Sequence, residues 1–428
     1  MIIDTNIQLE ELVSSITDKE IILVPISECE TTHPVSAPII AYYIKIFNER
    51  DYLILQNHPE ANLVIPIIPI LEKAKKIYCS NKSLLRYNGV FLKTRVVDGL
   101  LQNYLATGDV PEPVQFKSAE FYSRRVPFKT NIFVDAMKLQ EHGRKVADQI
   151  ARTENECESF YEDMFSQVFH VIESNGLVVD KAMFSAKFPE YPIIGSKVFT
   201  KYNFYTSTGR PSNRFGGVNF AALNKEDDTR SSIISRHEDG ILVEMDFQSY
   251  HPRILADLIG YDMGNENAYE HLAKYYFNTD TPTEEQISSS KELTFRQIYG
   301  GINTKYQHIE YFNKINHFTE YLWDYYVKNG SVQSKTSKRE IKGIEDVSPT
   351  KLLNYFIQLQ ETEQNTLFLY GLLRVLDEDI IPILYTYDSV LFDLPKSKVK
   401  TLQNILSNLI PKTFPYRLKM GLNYKDLA

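Results

Sequence analysis

Three segments between residues 20 and 56, EIILVPIS, IIAYYIKIF and DYLILQN, are apolar, rich in β-branched and aromatic residues, and bounded by turn formers. That pattern predicts strands. A loop with Pro34 and Pro38 separates the first two, and NERD is a turn between the last two. Helical spacing follows around 66–76, 81–87 and 95–106, so the beginning of the chain predicts an α/β unit. TGDVPEPVQ, 107–115, predicts a linker. From 131 to 175 the pattern is helical and amphipathic, closing at Asn175-Gly176 before a short strand. TSTGRPSNRFGGVN, 206–219, is a polar, basic, Gly-rich loop. A strand is predicted over 240–246 and helices over 251–259, 265–276, 284–300, 305–328 and 349–376. NGSVQSKTSKREIKG is basic and turn-rich, and IIPILYTYDSVLFDLP reads as strand, tight turn at 387–389, strand.

The 428 residues suffice for two or three domains, and 43% hydrophobic with 24% charged residues is a globular balance. The net charge of −8 argues against indiscriminate coating of nucleic acid but leaves room for a local basic groove. Cys29, Cys79 and Cys157 are scattered without metal spacing, which predicts a reduced, cytoplasmic setting. No signal-peptide pattern is present, and the most apolar run, LVIPIIPIL, is short and broken by Pro66 and Pro69, so no membrane partner is expected.

Two acids stand out. Asp246 ends the apolar run ILVEM, and Asp388 sits at the tip between ILYTY and VLFDL. Core strands place no carboxylate at such points unless it is paired or bound to metal. Two aspartates on neighbouring antiparallel strands suit a pair of divalent ions and in-line phosphoryl or nucleotidyl transfer. Read alone, Asp388 is equally a turn residue. In KELTFRQIYGG, Lys291, Phe295 and Tyr299 are spaced i, i+4, i+8. At about 40° of drift per step they share one helix face. A lysine with two aromatics below it fits a triphosphate clamp beside a stacking surface. The plainer alternative is an amphipathic helix with its aromatics in the core.

With these residues in view, the chain resembles the family A DNA polymerases, the bacterial DNA polymerase I type. MDFQSYHPRILADL is similar to motif A, D-Y-S-Q-x-E-x-R before a helix. KELTFRQIYGG is similar to motif B, K-x-x-x-F/Y-x-x-x-Y-G, and YTYDSVLFDLP to motif C, V-H-D-E before an apolar strand. YTSTGRPSNRFGGVNFA resembles the T-x-T-G-R-x-S segment, FSQVFHVIESNGLVVD the helix leading into the palm, and FIQLQET the helix with Q-G-T. All six occur in the family's order, over about 160 to 428. The resemblance implies that Asp246 and Asp388 bind two Mg²⁺ ions, for which Mn²⁺ substitutes. It implies that Lys291 contacts the phosphates and protonates the leaving pyrophosphate, that Phe295 lies near the sugar, and that Tyr299 guards the template side. Phe247, His251 and His271 fall at nucleotide-binding positions. Arg210, Arg253 and Gln360 fall at DNA-binding ones. Separately, the basic stretch of Lys335, Lys338, Arg339 and Lys342 either touches template phosphates or is a solvated loop.

The departures are specific. The motif A glutamate, a ribose gate paired with the motif B tyrosine, is His251; the arginine one turn before the lysine is Ile287. The motif C histidine and glutamate are Tyr387 and Ser389. The segment 178–206 is much shorter than a usual thumb. That implies low processivity unless a processivity or replisome partner, or the helical region 131–170, holds the duplex.

Residues 78–105 resemble the 3′–5′ exonuclease domain of the same family, an RNase H-like α/β fold whose four acids bind two metals. Glu28, Glu30 and Asp135 match three of the acids, Asn81 replaces the fourth, and Asn131 stands where a tyrosine is usual. Asparagine removes a charge that the metal pair needs, so this domain reads as degenerate. The expected architecture is α/β multidomain: an RNase H-like domain over 1–112, a linker and helical region with a reduced thumb over 113–206, and palm and fingers over 207–428, with fingers about 262–345.

The function implied is template-dependent DNA polymerase on primer-template DNA with deoxynucleoside triphosphates, without proofreading. The compact chain and worn exonuclease point to a phage or mobile-element source. The alternatives are a catalytically idle relative that binds primer-template or a replication partner, and a nuclease with a polymerase-like scaffold; Asn81 counts against the latter. If His251 is the sugar gate, wild type and His251→Glu are expected to differ in ribo- against deoxynucleotide incorporation. Equal ratios would remove His251 from that role.

Overall fold

The structure is a computed structural model that describes residues 1–27, 33–47, 49–112, 135–150, 156–224 and 228–427. It divides into two compact units: Met1–His170 with Ser337–Arg339, and Val171–Thr336 with the chain from Glu340 onward.

The first unit is built on a five-stranded sheet of order β3-β2-β1-β4-β5. Its strands are β1 (Glu20–Ser27), β2 (Ile39–Ile46), β3 (Asp51–Leu55), β4 (Lys76–Cys79) and β5 (Arg95–Asp98). β1 pairs antiparallel with β2 and parallel with β4. This is the mixed α/β sheet that the RNase H-like expectation requires. β1 is central and buried on both faces, which is why it reads as one apolar run. Ile21 and Leu23 join a core with Leu12 and Ile16 of the helix Asn6–Ile16. Ile22, Val24 and Ile26 join a second core with Leu139 and Ala147 of the helix Ala136–Ala147.

Sequence spacing misread part of this unit. Residues 95–98 lie inside a stretch expected to be helical and 77–79 between two such stretches, yet they belong to β5 and β4. A four-residue strand buried by parallel neighbours carries too few positions to show a period of two. The expected helices shrink to Ile67–Leu71, Lys82–Tyr87 and Gly99–Thr107.

The second unit holds a four-stranded sheet of order β14-β15-β11-β16. Before it come the three-stranded sheet of β6 (Leu177–Val179), β7 (Lys197–Val198) and β10 (Ile233–Ile234), and the hairpin of β8 (Tyr202–Asn203) and β9 (Ser212–Asn213). The main strands are β11 (Gly240–Phe247), β14 (Ile381–Tyr385), β15 (Ser389–Pro395) and β16 (Tyr416–Gly421), with β12 (Ser331–Gln333) and β13 (Glu340–Lys342) as a separate hairpin. β11 is paired antiparallel on both sides, by β15 and β16. β16 and the helix Val399–Leu409 were not anticipated. The helices Tyr250–Leu258, Ala268–Phe277, Glu284–Gly300, Glu310–Asn329 and Pro349–Leu373 share a core around Leu272, Ile298, Phe312, Ile315 and Ile357. Thr283 and Gln286 form a capping box that fixes the start of Glu284–Gly300.

Gly143 lets the helix Ala136–Ala147 approach β2: a Cβ there would lie 2.4 Å from Tyr43 Cγ. Gly143→Ala is therefore expected to destabilise the first unit by about 1–3 kcal/mol. An unchanged denaturation midpoint would show that the ring moves aside freely.

Candidate active site

β11 ends at Phe247 and β15 begins at Ser389, in a register that sets Asp246 opposite Ser389. The Phe247 amide donates to the Asp388 carbonyl at 2.9 Å, so both carboxylates emerge at one end of adjacent strands. Tyr387, before Asp388, has φ of 75°, a region costly for a bulky side chain. The long helix Pro349–Leu373 holds this turn. Asn365 Nδ2 donates to the Tyr387 carbonyl at 2.6 Å and to Tyr385 Oη at 3.0 Å, while its Oδ1 accepts from Tyr250 at 2.9 Å.

Both aspartates open into one cavity of about 790 Å³. Lys291, Phe295 and Tyr299 line it, as the i, i+4, i+8 spacing predicts, together with Phe247, His251 and Arg210. Phe295 stacks on Tyr299 (5.5 Å, 22°) and on Tyr269 (6.3 Å, 30°), forming an aromatic wall below Lys291. Phe247 stacks on Tyr250 at 4.4 Å.

Asp388 is exposed through the cavity, yet its carboxyl is pushed up to about 6. Surrounding protein desolvates it, and Asp246 and Glu361 add negative charge; the Arg210 guanidinium opposes them. Water entering the cavity screens part of this, so its cost to stability is small. Such crowding of carboxylates suits divalent cations, which would be held by Asp246 and Asp388. Among the described residues no group of three or more His, Cys, Asp or Glu is arranged to hold a metal. Any cations would therefore rest on this pair with carbonyl, water and substrate oxygens.

Other expected site residues are elsewhere. Arg253 is 3% exposed and donates to the carbonyls of Gly264, Thr413 and Glu266, so it is an internal clamp rather than a phosphate contact. Arg339 is also buried, counted with the first unit, with its guanidinium 4.7 Å over the Tyr104 ring. Lys338 beside it is half-buried with φ of 61°, whereas Lys335 and Lys342 are exposed. Gln360 is buried and its amide donates to Glu363 at 3.3 Å. His271 lies outside the cavity, with Glu266 2.9 Å from Nδ1 and Tyr261 Oη 2.9 Å from Nε2. For Arg253, Arg339, Gln360 and His271, a polar residue that sequence spacing leaves available is engaged by a partner that the fold supplies.

The cavity also contains residues that sequence reasoning missed: Glu361, Tyr269, Asn267, Gln248 and Arg417. Arg417 is exposed on β16, opposite Asp246. Glu361 is 1% exposed, its Oε2 2.8 Å from Arg210 Nε and its Oε1 3.1 Å from His251 Nε2. Arg210 Nη2 donates to Glu361 Oε1 at 3.2 Å, and the guanidinium lies 3.7 Å from the Tyr387 ring centroid. The only sequence signal for Glu361 was a carboxylate where Q-G-T has glycine.

In the first unit, Glu28, Glu30 and Asn131 lie outside the described residues. Asn81 and Asp135 cap helices: Asn81 Oδ1 accepts from the Leu84 amide at 2.9 Å and Asp135 Oδ1 from the Lys138 amide at 3.0 Å. A separate cavity of about 600 Å³ borders Lys82, Arg86, Glu162 and Asp163. Burial pushes Glu162 up to about 8 although Lys82 is 3.6 Å away; at that distance the cation does not offset desolvation.

No family model matches the sequence, and no curated protein sequence matches it. The structure is similar to the POL domain of Pol1 from M. smegmatis, solved in complex with a DNA primer-template and dNTP. The TM-score is 0.72 over 99% of each chain, at 13% sequence identity. The fold is that of a polymerase domain. At this identity the likeness resides in the path of the backbone, and the side chains must speak for themselves. No described helix is long and apolar enough to cross a membrane.

The crowding at Asp388 gives a prediction. A carboxyl raised in the folded state weighs against folding when ionised, and the burden lifts as pH falls through about 6. Without divalent cations, Asp388→Asn is expected to raise the melting temperature slightly at pH 8, with the gain shrinking below about 6 and gone near the ordinary value of 3.8. A lower melting temperature at pH 8 would show that the pair is not strained.

Proposed function

We propose that the chain is a template-dependent DNA polymerase that adds deoxynucleotides to a primer 3′ end. The observation that carries this reading is the single cavity joining Asp246, Asp388, Lys291, Phe295 and Tyr299. The fold likeness supports it, since the neighbour was solved with a primer-template and dNTP.

Each side chain has a task set by its position. Asp246 and Asp388 would hold the cations, Mg²⁺ or Mn²⁺. When bound there, two such ions activate the primer 3′-hydroxyl and neutralise the triphosphate. Lys291 is exposed at the cavity and brings a point charge to the phosphates. It is also the ammonium on this wall that would donate a proton to departing pyrophosphate. Phe295, 39% exposed and stacked between Tyr269 and Tyr299, presents a face to the sugar and base. Arg210 and Arg417 add positive charge where a primer-template backbone would run.

The first unit serves structure or DNA handling rather than proofreading. Asn81 supplies no charge, and its side-chain oxygen is committed to a helix cap. A single-stranded substrate is expected to resist degradation.

Primer extension tests the reading. Wild type with Mg²⁺ and four deoxynucleotides is expected to extend, Asp246→Ala and Asp388→Ala to lose at least about 10³-fold, and Lys291→Ala about 10²-fold. A wild type that shifts primer-template in a gel but extends nothing would favour the idle-relative reading. Undiminished extension by Asp388→Ala would reject the assigned site.

A further inference from the structure

A chain of contacts crosses the cavity from the turn before Asp388 to the Lys291 helix: Tyr387, Arg210, Glu361, His251, Tyr299. Its centre is a carboxylate that is 1% exposed. Burying an acid with ion partners is neutral or costly for stability, so a purely structural reason for Glu361 is weak. We propose that Glu361 is the positioning residue of a sugar-selecting device in which it acts through His251 on Tyr299. The inference rests on the reading that the cavity takes a nucleoside triphosphate.

The protonation pattern follows from the donor inventory. A carboxylate only accepts, so Glu361 Oε1, 3.1 Å away, favours a hydrogen on His251 Nε2 over a lone pair. That N–H is not aligned on the oxygen, so the pull is mainly Coulombic. In a neutral imidazole the other nitrogen, Nδ1, then accepts, and its contact is the Tyr299 hydroxyl. Glu361 thus selects the tautomer that ties down the Tyr299 hydroxyl. Without the acid, either ring nitrogen could carry the hydrogen and the tie would not be unique.

Position makes the tied hydroxyl a sugar contact. Lys291 and Tyr299 are eight residues apart on one helix face, about 12 Å along the axis. With phosphates at Lys291 and the aspartates, the sugar lies along Phe295, and the His251–Tyr299 pair closes the wall beside it. A rigid wall there leaves no room for an added 2′-hydroxyl; a loose one yields. Histidine alone is a poor rigid gate, and the buried acid behind it supplies what it lacks. The arrangement also qualifies the simplest gate substitution. His251→Glu would set a second carboxylate against Glu361, so His251→Glu/Glu361→Gln is the fair comparison.

The experiment measures single-nucleotide incorporation by the full chain on a primer-template. Ribo- and deoxynucleotide efficiencies are compared for wild type, Glu361→Gln, His251→Ala and the double variant His251→Ala/Glu361→Gln. Glu361→Gln keeps shape and removes charge. It is expected to raise the ribo-to-deoxy ratio about tenfold, the difference between a charge-assisted and a neutral contact. The double variant should match His251→Ala, because Glu361 acts through His251. Equal loss for both sugars in Glu361→Gln, or a double-variant ratio equal to the product of the singles, would overturn the proposal. Should wild type extend nothing, the polymerase reading fails by itself. Calorimetric binding of deoxy- and ribonucleoside triphosphates to the complex with a dideoxy-terminated primer then gives the same ratio. An identical binding ratio in wild type and Glu361→Gln, or no binding of either nucleotide, would overturn the inference.

Discussion

Antiparallel pairing of β11 with β15 brings two carboxylates to one sheet end, where a third, Glu361, faces them from the long helix. Like charges at such range repel, and the structure around them manages that repulsion. Arg210 lies against Glu361 and over Tyr387. Asn365 fixes the left-handed Tyr387 through its carbonyl. The Phe247 amide joins the two strand ends. Burial and the neighbouring Asp246 and Glu361 still disfavour the charge of Asp388, and Arg210 offsets part of that.

The helix Glu284–Gly300 supplies the opposite wall, and its chemistry is a matter of period. Residues four apart rise in a row, so a lysine and two aromatics become a graded surface from charge to ring face. The stacked rings of Tyr269, Phe295 and Tyr299 stiffen that surface. His251 links it to the buried acid on another helix. The cavity is polar on one side and aromatic on the other because two different periodicities, of strand and helix, meet across it.

Much of this was legible in the chain. β1 and β11 are apolar runs that no helix pattern imitates, and Asp246 and Asp388 are conspicuous because they interrupt such runs. The face shared by Lys291, Phe295 and Tyr299 needed only the helical repeat. What was missed has a common cause. β4 and β5 are too short to show a period, and β16, with alternating Arg417 and Lys419, looks like surface until it is seen paired to β11. Arg253 and His271 were expected at ligands from the motif resemblance and Arg339 from a basic run, but their partners are carbonyls, a ring or an acid supplied by the fold.

The sequence by itself determined which residues could do chemistry and on which element each would ride, because alternation and helical spacing are local properties of the chain. It also marked His251 as a departure. Only the tertiary structure decided which of those residues face one another. The link from Arg210 through Glu361 and His251 to Tyr299 joins residues 48 to 151 positions apart, and no local period encodes such distances. Packing of the long helix against β11, β14 and the Lys291 helix brings them together, and it turns an unexplained histidine into one member of a charge-anchored pair.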